Sequence, residues 1–104
     1  MIAMNPSEYA RELCLQAAQL LRQAELTHEG LWMQDAIECY VQALEADPEC
    51  LEPCLALAWL WLWQGQPEPA RFFLSRAQVL APFDQAVHEL WQQFEDVLQQ
   101  ELSP

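Results

Sequence analysis

"DAIECYVQALEADPE", residues 35–49, and "PARFFLSRAQVLAPF", residues 69–83, share one arrangement of small and apolar residues. Equivalent positions lie 34 residues apart, and they pair Ala36 with Ala70, Tyr40 with Leu74, Ala43 with Ala77, and Pro48 with Pro82. A fixed period of this length is typical of arrays in which each repeat is one supersecondary unit. The period therefore predicts that two units of the same structure follow each other in the chain.

A tryptophan run, "LAWLWLW" at residues 57–63, lies between these two stretches. Large apolar residues alternate at Trp59, Trp61 and Trp63, a pattern that by itself favours a β-strand. Alternation over five residues is also compatible with a helix that is apolar on nearly all sides. The longest apolar run, residues 54–63, has ten residues, whereas a membrane-spanning helix needs about twenty. Because the period places the run at the start of a repeat, we predict a helix of the folded domain.

Apolar residues elsewhere recur at helical spacing, and glycine, which weakens helices, occurs only at positions 30 and 65. Near the C-terminus one helix stripe consists of Val87, Leu90, Trp91, Phe94, Val97 and Leu98. Prolines stand where the first turn of a helix tolerates them. The sequence predicts an all-α chain of five helices, at about 7–29, 33–46, 50–64, 68–80 and 84–101.

The period and the residue types that carry it resemble the tetratricopeptide repeat, a helix–turn–helix unit of 34 residues. In that family, small residues stand where the two helices cross closely, and a proline follows the second helix. The positions that match this pattern are Ala36, Tyr40, Ala43, Pro48, Ala58, Trp61, Gly65, Ala70, Ala77 and Pro82. The resemblance implies an α–α superhelix that forms one domain, residues 1–104. Its expected parts are repeat one at about 17–50, repeat two at 51–84, and a closing helix at about 84–101.

The first helix of repeat one matches the family pattern less well than repeat two does. Leu20 and Ala24 occupy the expected positions, whereas Gln23 and Thr27 stand where apolar residues are expected. Gly30 falls one position early. We therefore expect a longer first helix or an additional turn residue before the second helix.

The charge of the chain is strongly acidic, with sixteen acidic residues, four arginines, no lysine and a net charge of −12. Such a charge repels nucleic-acid phosphates and anionic lipid, so neither nucleic acid nor a membrane surface is an expected partner. A basic protein partner is electrostatically easier, although acidity also serves solubility.

Four cysteines are present, Cys14, Cys39, Cys50 and Cys54, and the N-terminal residues lack the pattern of a secretory signal. We therefore expect a cytoplasmic protein with reduced thiols. Cys50 and Cys54 lie four residues apart, a spacing that suits one helix face better than a zinc loop. A thiol or metal role for this pair is the weakest of our functional alternatives, and we expect no metal and no cofactor.

The resemblance also implies a concave groove lined by the first helix of each repeat. Its residues in repeat two are Glu52, Leu55, Trp59, Leu62 and Trp63. The flanking positions are Leu21, Glu25, His28 and Glu29 in repeat one and Ala86, Glu89, Gln93 and Asp96 in the closing helix. An apolar floor between acidic walls suits an apolar or amphipathic peptide or helix with basic residues at its edges. In the alternative interpretation, Trp59 and Trp63 complete the core.

No nucleophile motif, phosphate-binding glycine loop or zinc-protease motif occurs, so we expect a protein that is not an enzyme. The leading hypothesis is a protein–protein interaction module that acts as an adaptor, assembly factor or chaperone-like binder. The second is a structural homodimer whose groove is filled by another copy, since two repeats are fewer than arrays usually need.

Overall fold

The computed structural model describes residues 5–27 and 30–102, which are 87% helical and contain no strand. The helices are α1 (Pro6–Thr27), α2 (Gly30–Ala46), α3 (Leu51–Trp63), α4 (Pro67–Leu80) and α5 (Gln85–Leu102). The all-α prediction is confirmed, and every helix end lies within three residues of its predicted position. His28 and Glu29, which we expected beside the groove, lie outside the described residues.

The start of α2 shows the largest difference from the predicted boundaries. α2 begins at Gly30, three residues earlier than predicted, so this glycine belongs to a helix rather than to a turn. Glycine lowers helix stability chiefly in a helix interior, so it is tolerated at the first residue of α2. α1 ends at Thr27, whose hydroxyl donates a hydrogen bond of 2.8 Å to the Gln23 carbonyl oxygen.

Two helices begin with an acidic or amide side chain that accepts a backbone hydrogen bond. The Asn5 Oδ1 atom accepts from the Glu8 N–H at 2.8 Å, at the start of α1. The Asp84 Oδ1 atom accepts from the Ala86 N–H at 2.8 Å, at the start of α5. Such caps satisfy amide groups that lack helical partners, and they place each helix start at a defined residue.

Gly65 forms the turn between α3 and α4, with a φ angle of 74°. The Gly65 N–H donates to the Leu62 carbonyl at 3.0 Å, and the Gln66 N–H donates to the Trp61 carbonyl at 2.9 Å. This pair of bonds is the Schellman arrangement that ends many helices. It requires left-handed backbone at Gly65, which a residue with a side chain adopts only with strain.

The chain divides into two compact units, Met1–Pro53 and Cys54–Pro104. In the first unit α1 packs against α2. The residues that these two helices bury are Ala10, Leu13, Cys14, Ala17 and Ala24 on α1 and Ala36, Ile37, Tyr40 and Ala43 on α2. Ala10, Ala17, Ala36 and Ala43 have no exposed surface, and side chains of this size let helix backbones approach closely.

The second unit packs the greater part of α3 against α4 and α5. Its core cluster consists of Ala58 and Leu62 from α3, Ala70 and Leu74 from α4, and Leu90 and Phe94 from α5. Larger, partly buried side chains surround this cluster, namely Leu55, Trp61, Phe73, Trp91, Val97 and Leu98. The small residues at positions 58, 70 and 77 are fully buried.

Candidate functional site

α3 carries two kinds of apolar residue on different sides. Leu57, Ala58 and Leu60 are fully buried, whereas Trp59 and Trp63 are 42% and 64% exposed. The strand-like alternation of the sequence therefore belongs to a helix whose opposite sides are both apolar. Because the buried residues hold the helix in place, the two exposed indoles project from a fixed backbone.

Trp59 and Trp63 stack on each other. Their ring centroids are 5.9 Å apart and their planes differ by 8°, which is the offset-stacked geometry that aromatic pairs prefer. Residues four apart are neighbours on a helix surface, so the stack follows directly from the sequence spacing. The pair forms a continuous exposed apolar patch on α3.

The other predicted groove residues of the second unit differ in exposure. Glu89 on α5 is exposed, and Leu55 is partly buried against the core cluster. Leu62 departs from the expectation, because it is only 8% exposed and belongs to that cluster. It lies four residues after Ala58 and so points to the same side of α3, towards α4 and α5. The predicted groove residues that the second unit presents to solvent are therefore Trp59 and Trp63 on α3 and Ala86, Glu89, Gln93 and Asp96 on α5.

The predicted groove residues of the first unit lie on α1 and in the first turn of α3. Leu21 is half-buried on α1, and Glu25 is exposed one turn further along. Glu52 is exposed beside the start of α3. The two carboxylates are solvated, and Leu21 is the one apolar member of this set.

A thiol pair that sequence analysis did not anticipate lies in the first unit. Cys14 on α1 is 1% exposed, and its thiol donates a hydrogen bond to the sulfur of Cys50. Cys50 immediately precedes α3, and its sulfur also accepts from the backbone N–H of Glu52. Cys50 therefore occupies the N-cap position of α3, where Ser, Thr, Asp or Asn is usual. The four cysteines, all of which lie in the described part of the chain, form no disulfide.

Burial keeps these thiols protonated. It raises the pKa of Cys14 from 9.0 to about 12, and the nearby Glu52 carboxylate adds to the effect. Burial also raises the pKa of Cys50, although the hydrogen bond from the Glu52 N–H opposes this. The pKa of Tyr40 rises from 10.0 to about 12, again mainly through burial. A protonated thiol is a poor nucleophile and a poor metal ligand. Within residues 5–27 and 30–102, no three Cys, His, Asp or Glu side chains form a group able to hold a metal ion.

In the part of the chain that the structure describes, each unit has an open cleft between two of its helices. One, of about 360 Å³, lies between α1 and α2 and is lined by Gln16, Gln19, Leu20, Gln23 and Trp32. The other, of about 350 Å³, lies between α4 and α5 and is lined by Gln78, His88, Trp91, Gln92 and Glu95. The Trp91 Nε1 atom is buried and has no hydrogen-bond partner in the described part of the chain. Because this indole N–H is buried, the polar groups that line the second cleft are the amide, imidazole and carboxylate groups of the other lining residues.

The outer side of α4 exposes apolar residues that we did not single out from the sequence. Phe72 is 63% exposed and Val79 is 82% exposed, and Phe83 in the following turn is 98% exposed. Phe72 also contacts Phe73 edge-on, with ring centroids 5.1 Å apart. The sequence pattern that could have indicated this exposed side is the spacing of seven between residues 72 and 79, which places both residues on one side of a helix.

None of the helices in the described part of the chain combines the length and the apolar character that crossing a membrane requires. No curated protein and no solved structure shows significant similarity to the chain. A family model described as tetratricopeptide repeat matches residues 33–94. These repeats generally mediate protein–protein interactions, and the family is typically non-catalytic. The helical hairpins, the buried small residues at repeat positions and this match together show that the chain belongs to the tetratricopeptide repeat family.

Proposed function

We propose that this chain is a non-enzymatic interaction module that holds a segment of another protein against the Trp59–Trp63 pair. The observation that carries the proposal is the stack of two large aromatic side chains on the solvent side of a helix whose other side is core. Tryptophan is enriched among the residues that dominate binding energy at protein interfaces. Exposed, adjacent indoles of this kind mark interaction sites rather than idle surface.

The preferred segment is apolar or amphipathic and carries arginine or lysine at its edges. Its apolar residues would cover the indoles, and its basic residues would meet acidic positions of the second unit such as Glu89. Cations also favour the faces of tryptophan rings, which adds to the preference for basic over acidic flanks. The overall charge of −12 accelerates the encounter with such a partner, and added salt would slow it.

The proposed role is that of an adaptor, an assembly factor or a chaperone-like binder. These roles share the reversible capture of a client segment, which is the behaviour that the proposal requires. A homodimer in which a second copy covers the indoles is the competing arrangement, and two chains of charge −12 repel each other.

Peptide binding with matched flanks tests the proposal. We would titrate the full chain with labelled amphipathic peptides that have one apolar sequence and either lysine or glutamate flanks. The lysine peptide should bind more tightly, and it should shift the indole N–H signals of Trp59 and Trp63 in a two-dimensional NMR spectrum. Replacing both tryptophans with alanine should weaken binding by about tenfold or more.

The control is Phe72→Ala, which removes an exposed aromatic ring from α4 instead. This variant should bind the lysine peptide as the unmodified chain does. Equal affinity of the double tryptophan variant and the unmodified chain would refute the proposal. A sedimentation experiment that shows a stable dimer, dissociated by the tryptophan substitutions, would favour the second copy as occupant.

A further inference from the structure

We propose that Cys14 and Cys50 are a site of reversible oxidation, at which a low-molecular-weight disulfide converts their two thiols into one disulfide bond within the first unit. At this site Cys50 is the thiol that reacts first, and Cys14 is the thiol that completes the bond. The proposal is independent of the Trp59–Trp63 pair and stands whether or not the tryptophans bind a partner.

The two sulfur atoms are already neighbours in the folded chain. The Cys14 thiol donates a hydrogen bond to the Cys50 sulfur, although the two residues are 36 positions apart in the sequence. A disulfide requires sulfur atoms about 2.05 Å apart on side chains that point towards each other. Thiols joined by a hydrogen bond already point towards each other, so only a short approach of the two sulfurs remains.

Packing and backbone hydrogen bonds hold both residues at these positions. Cys14 lies on the buried side of α1, within the core that α1 forms with α2. Cys50 ends the turn that precedes α3, where its N–H donates to the Asp47 carbonyl oxygen at 3.0 Å. The Asp47 Oδ1 atom also accepts from the Glu49 N–H, at 3.2 Å. The contact between the two sulfurs is therefore set by the fold of the first unit.

Exposure and hydrogen bonding assign the first reaction to Cys50. Cys14 is 1% exposed, so an oxidant in solution does not reach it, whereas Cys50 is partly exposed. The Cys50 sulfur accepts hydrogen bonds from the Cys14 thiol and the Glu52 N–H, and both bonds lower its pKa against the larger effect of burial. These bonds stabilise the thiolate, which is the form that attacks a disulfide. Because burial keeps most of Cys50 protonated, the exchange is slower than at a fully exposed cysteine.

Oxidation proceeds by two thiol–disulfide exchange steps. The Cys50 thiol releases its proton to solvent, and the thiolate attacks one sulfur of the small disulfide, which forms a mixed disulfide and expels one small thiolate. The Cys14 thiol then loses its proton, and its sulfur attacks the Cys50 sulfur, which forms the Cys14–Cys50 bond and expels the second small thiolate. The expelled thiolates take up the two protons, so two protein thiols are oxidised while one small disulfide is reduced to two thiols. An excess of a small thiol reverses both steps.

The disulfide would join α1 to the residue that precedes α3. It closes a loop that contains the whole of α2, and a crosslink of this length restricts the unfolded chain. Oxidation should therefore raise the urea concentration at the midpoint of unfolding, and reduction with dithiothreitol should restore the original midpoint. The thiol pair would thus make the stability of the first unit depend on the thiol–disulfide balance of its surroundings.

Oxidised glutathione, added to the folded full chain at neutral pH, tests the inference. Iodoacetamide in denaturant then blocks the remaining thiols, and mass spectrometry with peptide fragmentation identifies the bonded pair. The folded chain should form the Cys14–Cys50 bond and leave Cys39 and Cys54 outside it. In denaturing urea the same treatment should lose this selectivity, because the unfolded chain does not hold the two sulfurs together. This comparison needs no substitution, so it does not depend on the folding of a variant.

Three variants separate the proposed chemistry from a thiol pair that is merely structural. Cys14→Ala should stop at the mixed disulfide of glutathione with Cys50. Cys50→Ser, which retains a capping side chain, should leave Cys14 reduced, because Cys14 is buried. The matched control is Cys39→Ser, at another partly exposed cysteine of the first unit, and it should form the Cys14–Cys50 bond at the unmodified rate. Far-UV circular dichroism establishes that the variants are folded.

Three results would overturn the inference. The first is a folded chain that acquires mixed disulfides without forming the Cys14–Cys50 bond. The second is a selectivity for this bond that urea leaves unchanged, since the fold would then not direct the pairing. The third is a Cys50→Ser variant in which Cys14 is oxidised as fast as in the unmodified chain.

Discussion

Trp59 and Trp63 stack with their ring planes 8° apart on the solvent side of α3, while Leu60 between them is fully buried. The same helix therefore provides part of the core and an exposed aromatic surface. The apolar character of α3 alone does not distinguish these roles. The exposed fractions of the two indoles distinguish them, and they predict that removing either indole has a small effect on stability.

Replacing Trp59 or Trp63 with alanine should reduce the free energy of unfolding by only about 1–2 kcal/mol, because each indole is substantially exposed and its main loss is the stacking partner. Leu57→Ala, at a fully buried position of the same helix, should cost about 2–5 kcal/mol. Urea unfolding followed by far-UV circular dichroism measures all three. A loss as large as that of Leu57→Ala at either tryptophan would place that indole in the core.

The two glycines should respond oppositely to alanine. Gly65→Ala should destabilise the chain by about 1–2 kcal/mol, because the φ angle of 74° disfavours any side chain although no atom lies within 4 Å of the new Cβ. Gly30→Ala should stabilise it by about 0.5 kcal/mol, since α2 there has helical backbone and open space around the new Cβ. Thermal unfolding of both variants tests this, and equal effects of the same sign would contradict it.

The N-cap position of α3 should prefer serine to alanine at residue 50. Cys50→Ala removes the acceptor for the Glu52 N–H, whereas Cys50→Ser supplies a stronger one. We expect the serine variant to exceed the alanine variant by about 1 kcal/mol in free energy of unfolding. Chemical denaturation of the two variants, both without the Cys50 thiol, compares the caps directly. An alanine variant as stable as the serine variant would show that a side-chain acceptor at residue 50 does not stabilise the start of α3.

Alkaline pH should destabilise the folded chain through Cys14 and Tyr40. Both groups have a pKa of about 12 in the folded chain, against 9.0 and 10.0 without its environment, and burial is the main cause. The folded chain therefore keeps protons that the unfolded chain releases. The contribution of these retained protons to the free energy of unfolding is fully present below pH 9. It declines between pH 9 and 12, by at most about 1.4 kcal/mol per pH unit for each group.

Unfolding free energies measured from pH 7 upward test this decline. Tyr40→Phe should reduce the slope above pH 10, because phenylalanine does not ionise. Cys14→Ala should reduce the slope that begins near pH 9, whatever its effect on stability at neutral pH. An unchanged slope in the double variant would assign the alkaline loss to other groups.

Much of the helix arrangement was predictable because the repeat period is a property of the chain itself. Residues such as Ala36, Ala43, Ala70 and Ala77 recur at a fixed separation, and all four are fully buried in the structure. Only a small side chain lets two helices approach closely, so its position in the sequence indicates the contact. The start of α2 was less predictable, since Gly30 is compatible with both a turn and a first helical turn.

The candidate site was only partly predictable. The four-residue spacing of Trp59 and Trp63 implies neighbouring side chains on any helix, and the structure adds that they stack and remain exposed. Leu62 could not be assigned correctly, because the pattern places it beside the tryptophans whereas the structure buries it in the cluster with Ala58. The hydrogen bond between Cys14 and Cys50 joins residues far apart in the sequence, and no local pattern indicates it.

The sequence by itself determined the helices, their 34-residue period and the acidic charge, because spacing and composition act locally along the chain. Only the tertiary structure decided which sides of α3 and α4 meet solvent. α3 is apolar all round, so its own sequence contains no polar side to mark the surface, and the neighbouring helices select which residues they cover. The same selection leaves Phe72 and Val79 exposed, although both residue types are usually found in cores.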